Sequence, residues 1–202
     1  MTKAVRTCTP IFMAVMNDLV EEVILVDLSD REIGTGPKLD THRSGLLHRA
    51  FSIFVFDRLG HTLVQRRADG KYHSAGLWAN TCCGHPRPGE PIAQAAKRRL
   101  IEELGLEADL SEGFATHYMT DLDHGMKENE YVHVFGGVSD AAPVPEPTEV
   151  SEFAYISLED LRAQTQSGMV QTVWLRHYLD NHFDELIAMR DACLRTAKAS
   201  TS

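Results

Sequence analysis

The chain has 202 residues, 43% of them hydrophobic, and a formal net charge of -9, which allows one domain with a substantial core. The acidic balance argues against a nucleic-acid or anionic-membrane binder, because such surfaces carry an excess of Lys and Arg, so any anionic ligand must be met by local basic residues. Cys8, Cys82, Cys83 and Cys193 are spread along the chain apart from one adjacent pair, which is no disulfide framework and points to a reducing cytoplasm.

Near the N-terminus, Lys3 and Arg6 precede the apolar run Pro10 to Met16, but the run is short, Asp18 interrupts it and no small-residue cleavage site follows, which argues against a secretory signal. No segment approaches the length of a membrane span. Glu22 to Asp27 reads as a first strand, followed by a Gly-containing turn over Ile33 to Pro37. Phe51 to Phe56 and Thr62 to Arg66 read as a hairpin joined at Asp57 to His61. A helix is expected from Pro91 to Leu104, with Pro91 in its first turn and Gly105 as the left-handed stop. Strands over Phe114 to Met119 and Tyr131 to Val138 should flank a polar loop, Thr120 to Asn129. Ser139 to Val150, rich in Pro and acid, reads as a surface loop. A short strand follows at Phe153 to Ile156, then a short helix at Leu158 to Gln164 and one long helical region from Val170 to Leu194. Arg195 to Ser202 reads as a disordered tail. The order predicts an α/β fold, an α/β/α sandwich with a mixed sheet in a single domain over 1–202 whose core spans about 22–194.

Three groups of residues could carry chemistry. His42, His48, His85, Glu128 and Glu130 combine imidazole with carboxylate, which suits a borderline divalent metal such as Mn, Zn or Fe. Glu128 and Glu130, two apart on an extended segment, point to one face. Among ten histidines the set is weak by itself, and an acidic loop and satisfied core histidines would give the same letters. Cys82 and Cys83 precede His85 at the mouth of an acidic helix, where a thiol can be tuned for proton transfer; a free cysteine is more commonly a small buried hydrophobe. Lys38, Arg67, Lys71 and Arg99 could hold phosphate oxygens or simply be solvated, Arg99 with Glu103 forming an i, i+4 pair.

The run Gly84-x5-Glu90-x7-Arg98-Arg99-Leu100-Ile101-Glu102-Glu103-Leu104-Gly105-Leu106 resembles the Nudix signature at every defining position except one: Arg99 stands where hydrolytic members carry Glu. Trp78-Ala79-Asn80-Thr81-Cys82-Cys83-Gly84-His85-Pro86 narrows the resemblance to the type 1 isopentenyl-diphosphate isomerases, over roughly Glu22 to His182. The resemblance implies a Nudix-like α/β/α sandwich and an enzyme that interconverts isopentenyl and dimethylallyl diphosphate by moving one proton on and another off the carbon skeleton.

By the same resemblance, His42, His48, His85, Glu128 and Glu130 bind one divalent metal, Mn before Zn or Fe. Glu103 and the Cys83 backbone carbonyl bind Mg. Cys83, not Cys82, and Glu130 form the proton-transfer pair. Tyr118 assists Glu130, Trp174 faces the carbocation, and Lys38, Arg67, Lys71 and Arg99 surround the diphosphate. The expected partner is a prenyl diphosphate, with no nucleic acid and no membrane, in a cytoplasmic monomer or weak dimer. A Nudix diphosphohydrolase, opposed by Arg99, and a catalytically silent metal- or diphosphate-binding domain, opposed by Cys83 with His85 and Glu130, are the rival readings.

Overall fold

A computed structural model describes residues 21–71, 73–164 and 169–199; the N-terminal apolar run and Cys8 lie outside them. Its strands are β1 (Glu22–Val26), β2 (Glu32–Pro37), β3 (His48–Phe56), β4 (Thr62–Arg67), β5 (Trp78–Ala79), β6 (Cys82–Gly84), β7 (Ser111–Asp121), β8 (Lys127–Val138) and β9 (Val150–Ile156). The helices are α1 (Lys38–Ser44), α2 (Ile92–Leu104), α3 (Leu158–Gln164), α4 (Val173–Asn181) and α5 (Phe183–Ala199). All the strands join one mixed sheet centred on β3, which pairs antiparallel with β1, β4 and β6 and parallel with β8.

Period-two alternation along β3 builds a core on each face of the sheet. Phe51, Ile53 and Val55 pack with Ala95, Ala96, Leu100 and Leu104 of α2. Ala50, Phe54 and Phe56 pack on the other face with Leu158 and Leu161 of α3, Trp174, Leu175 and Tyr178 of α4, and Leu186 and Met189 of α5. Both faces are therefore covered by helices, as an α/β/α sandwich requires. Cys82 joins the first cluster and Cys83 the second, so one residue of register sends the adjacent thiols to opposite sides of the sheet.

Five expectations need correction. Ile33 to Pro37 lies within β2, because it pairs antiparallel with β1; the chain reverses earlier, through Asp27 and Arg31. The loop expected over Thr120 to Asn129 shrinks to 122–126, because Thr120 pairs with Glu128 and Asp121 with Lys127. Pro91 is the extended residue before α2. The long C-terminal helix is two helices: Val170 and Thr172 are held extended against Trp78, and the helix breaks at His182, whose ring reaches Thr116 at 3.0 Å. Residues 195–199 continue α5, and 200–202 lie outside the described residues.

Candidate active site

The parallel pairing of β3 with β8 sets His48 opposite Glu130. α1 brings His42, and the residue following β6 is His85. The left-handed Gly45, φ 64°, closes α1 and turns the chain into β3. The candidate ligand atoms of His42, His48, His85 and Glu130 all lie within 4.8 Å of one another. His42 Nδ1 donates to the Lys38 carbonyl at 2.7 Å and His48 Nδ1 to the Leu46 carbonyl at 2.8 Å. Those bonds fix the tautomers and turn the Nε2 lone pairs into the cluster.

His48 Nε2 and His85 Nε2 are 3.2 Å apart, with Glu130 Oε1 3.0 Å from His85 Nε2 and 3.6 Å from His48 Nε2. Burial, the largest effect, pushes the His85 imidazole down to about 4 despite Glu130, keeping it in its neutral, ligating form. Burial opposes ionisation of Glu130, but His48 and His85 outweigh it and hold the carboxyl well below the usual range. Glu128 Oε2 is buried without a hydrogen bond, 3.5 Å from His42 Nε2; burial and the nearby Glu130 charge raise its pKa. Converging lone pairs and an unsatisfied buried oxygen fit a divalent cation, for which this donor set is suited.

Cys83, half-buried on the neighbouring strand, lines the same cavity. Asn80 Nδ2 donates to the carbonyls of Ile53 and Cys82, so Asn80 Oδ1 is left to accept the Cys83 S–H at 3.2 Å. Ser52 Oγ is 3.3 Å from Cys83 Sγ and 2.8 Å from the buried Tyr178 hydroxyl. Burial pushes the Cys83 thiol up to about 12 against the lowering effect of Ser52 and Asn80, so near neutral pH it is an acid carrying its proton. Across β3, Tyr118 donates to Glu130 Oε2 at 2.7 Å.

Lys38, Arg67, Lys71, Glu103, Glu149 and Trp174 line the rest of the cavity. Lys38 pairs with Glu21 and Lys71 with Glu149, each at 2.7 Å. Arg67 donates to the His73 carbonyl at 3.3 Å and places its guanidinium 5.3 Å from the Trp174 ring centroid. Glu103 is buried, accepts from Gln65 Nε2 at 2.8 Å and bonds Arg99. Arg99 sits behind this wall, held also by Glu102 at 2.9 Å and Glu149 at 3.4 Å, so it meets the cavity through Glu103 and Glu149. Gly84 is closely packed here: a Cβ would stand 3.0 Å from Phe51 Cζ and 3.4 Å from Arg99 Cγ, so both side chains would have to give way.

Ser52, Asn80, Tyr178, His73 and Glu149 escaped the sequence reading. Ser52 could have been found as the one polar residue in the row Ala50, Ser52, Phe54, Phe56. Asn80 stands next to the cysteine pair. Tyr178 and Glu149, 95 and 66 positions beyond Cys83, gave no local signal. Among the described residues no helix is long and apolar enough to cross a membrane.

The description of a NUDIX domain matches residues 46–177. Isopentenyl-diphosphate Delta-isomerase 1 of Aromatoleum aromaticum is 48% identical over 161 residues, 79% of this chain and 91% of that protein. Isopentenyl-diphosphate Delta-isomerase 2 of Photorhabdus laumondii is 47% identical over 161 residues, with the same coverage of 79% and 91%. Among solved structures, DR0079 from Deinococcus radiodurans superposes with a TM-score of 0.67 at 19% identity, covering 79% of this chain and 97% of that one, a likeness of fold. On the domain match and on identities near one half across most of each relative, the chain belongs to the Nudix family and, within it, to the isopentenyl-diphosphate Delta-isomerases.

Proposed function

We propose that the chain interconverts isopentenyl diphosphate and dimethylallyl diphosphate, with Cys83 and Glu130 as the proton-transfer pair. The observation that carries this reading is a thiol oriented by Asn80 at 3.2 Å and a carboxylate oriented by Tyr118 at 2.7 Å, both on the lining of one cavity. The alkene π electrons take the proton from Cys83 Sγ at the terminal carbon, leaving a tertiary cation at the branched carbon. Glu130 then removes a proton from the allylic carbon, and that C–H pair becomes the new double bond. A thiolate and a carboxylic acid remain, and exchange with solvent or the reverse reaction resets them. General acid and base placed this way contribute about 10²–10⁴-fold each.

Trp174 would present an indole face to the cation without offering a nucleophile. Lys38, Arg67 and Lys71 would bind the diphosphate, with Arg99 holding Glu103 in place. His42, His48, His85, Glu128 and Glu130 would hold one divalent metal, Mn before Zn or Fe, and Glu103 with the Cys83 carbonyl would hold Mg. Bound there, the metals supply positive charge that fixes the acid and base and keeps the diphosphate from leaving. The partner is the prenyl diphosphate itself, handled by one catalytic domain acting as a monomer or weak dimer. Free Cys82, Cys83 and Cys193 support a cytoplasmic setting.

Purified protein incubated with isopentenyl diphosphate and Mg in heavy water should yield deuterated dimethylallyl diphosphate with no released phosphate. Phosphate release without the allylic isomer would instead identify a hydrolase, and binding without turnover a silent domain.

A further inference from the structure

We propose that Glu149 is a specificity-determining residue that makes the diphosphate clamp take its ligand as the magnesium complex; the proposal rests on the isomerase reading for the identity of the anion. Glu149 ends the Pro-rich loop that the sequence marks only as surface. Backbone bonds staple this loop to two elements at once. Val144 and Glu146 donate to the carbonyls of Leu104 and Glu103 at the end of α2, and Ala68, just past β4, donates to the Glu149 carbonyl at 2.9 Å. The Glu149 side chain is thereby held where α2 and the loop following β4 meet, on the cavity wall.

At that point its carboxylate is shared by Lys71 at 2.7 Å and Arg99 at 3.4 Å. Burial resists its ionisation, but Lys71 and Arg99 outweigh burial and keep it charged. Lys38 is matched in the same way by Glu21, and Arg99 also by Glu102 and Glu103. Arg67 differs: it makes no ion pair within 4.0 Å among the described residues, and its Nε is buried without a hydrogen-bond partner. Four cations thus stand against four carboxylates, and the clamp is close to neutral before any ligand arrives.

A bare diphosphate entering this clamp must displace Glu149 from Lys71 and Arg99, then lie beside Glu149 and Glu103 with little solvent to screen the repulsion. With a divalent cation bound to the anion, Glu149 and Glu103 would face positive charge instead of phosphate oxygens, and both carboxylates would then favour the complex. Glu149 therefore acts against the uncomplexed anion more than for the complexed one.

The test is calorimetric titration of the full chain with inorganic pyrophosphate, in magnesium-containing and in magnesium-free buffer. Wild type should bind about tenfold or more tightly with magnesium, and Glu149→Gln should reduce that ratio to about threefold or less, mainly by binding the metal-free anion more tightly. Glu149→Asp, which keeps the charge, should keep the ratio. The loop is held by backbone bonds that either substitution leaves in place, and melting temperatures of both variants check this. A wild-type ratio near one, an unchanged or larger ratio in Glu149→Gln, or an equal collapse in Glu149→Asp would overturn the proposal. Turnover of isopentenyl diphosphate by wild type is measured separately, so a failure of the isomerase reading is distinguishable from a failure of this one.

Discussion

The Arg67 guanidinium lies 5.3 Å from the centroid of the Trp174 ring, so the residue proposed to hold the diphosphate is stacked on the one proposed to face the cation. The His73 ring stands edge-on to the same indole at 5.8 Å. Trp174→Leu should then do two things. Loss of a desolvated cation–π contact of about 2 kcal/mol slows the chemical step roughly thirtyfold, and loss of the Arg67 stack weakens pyrophosphate binding by about two- to fivefold. Trp174→Phe should retain more of both. Turnover, pyrophosphate affinity and melting temperature for each variant check this; normal turnover in Trp174→Leu would return the indole to the core.

The two adjacent cysteines should behave oppositely. Cys83→Ala removes the thiol held by Asn80 and Ser52 and should lower turnover by about 10²-fold or more while bound metal is kept. Cys82 is fully buried beneath α2, so Cys82→Ala should cost about 1 kcal/mol of stability and leave turnover near wild type. Metal analysis alongside kinetics separates the two, and a dead Cys82→Ala with an active Cys83→Ala would reverse the assignment.

Removing the His85 imidazole should abolish both metal and turnover, because its Nε2 sits 3.2 Å from His48 Nε2 and 3.0 Å from Glu130 Oε1. The Tyr118 hydroxyl holds Glu130 from outside the cluster, so Tyr118→Phe should retain metal and lose about 10–100-fold in turnover, the range for a group that orients a metal ligand. Stoichiometric metal in purified His85→Ala would exclude this cluster as the metal centre.

Arg99→Ala leaves the buried Glu103 with Gln65 as its remaining described partner and frees Glu149 from one of its two cations. A loss of about 1–3 kcal/mol in stability is expected, together with weaker binding of substrate and pyrophosphate alike. Unchanged affinity for both anions would take Arg99 out of the clamp.

A pH effect follows from Glu21. Burial, the largest single effect, raises its pKa, but the charge and hydrogen bond of Lys38 at 2.7 Å, with smaller help from His85 and Arg99, together outweigh it and the carboxyl falls from 4.5 to about 2. A depressed carboxyl stabilises the fold above its unfolded pKa, and that contribution is lost as pH drops from about 4.5 towards 2. Glu21→Gln should flatten the decline of melting temperature across this window compared with wild type, and identical slopes would show that the pair contributes nothing.

Much of the sandwich was legible because its signals are local. The alternation in Phe51 to Phe56, the left-handed stop at Gly105 and the spacing from Gly84 to Leu106 each depend on residues within one element. Errors arose where pairing partners decide. Ile33 to Pro37 looks like a turn until β1 draws it into the sheet, and Thr120 to Asn129 looks like a loop until β7 and β8 zip in register.

By itself, the sequence determined the family, the α/β class and the cluster of chemistry around Cys83 and His85, because motif spacing and side-chain periodicity are properties of the chain alone. Tertiary structure decided which face each cysteine takes, that Arg99 lies behind the cavity wall, and that Glu149 and Ser52 line the cavity, with Tyr178 bonded to Ser52. Those relationships join residues tens of positions apart through sheet register and helix packing. A one-residue shift of β6 against β3 would exchange the faces of the two cysteines, and no local pattern in the chain specifies that register.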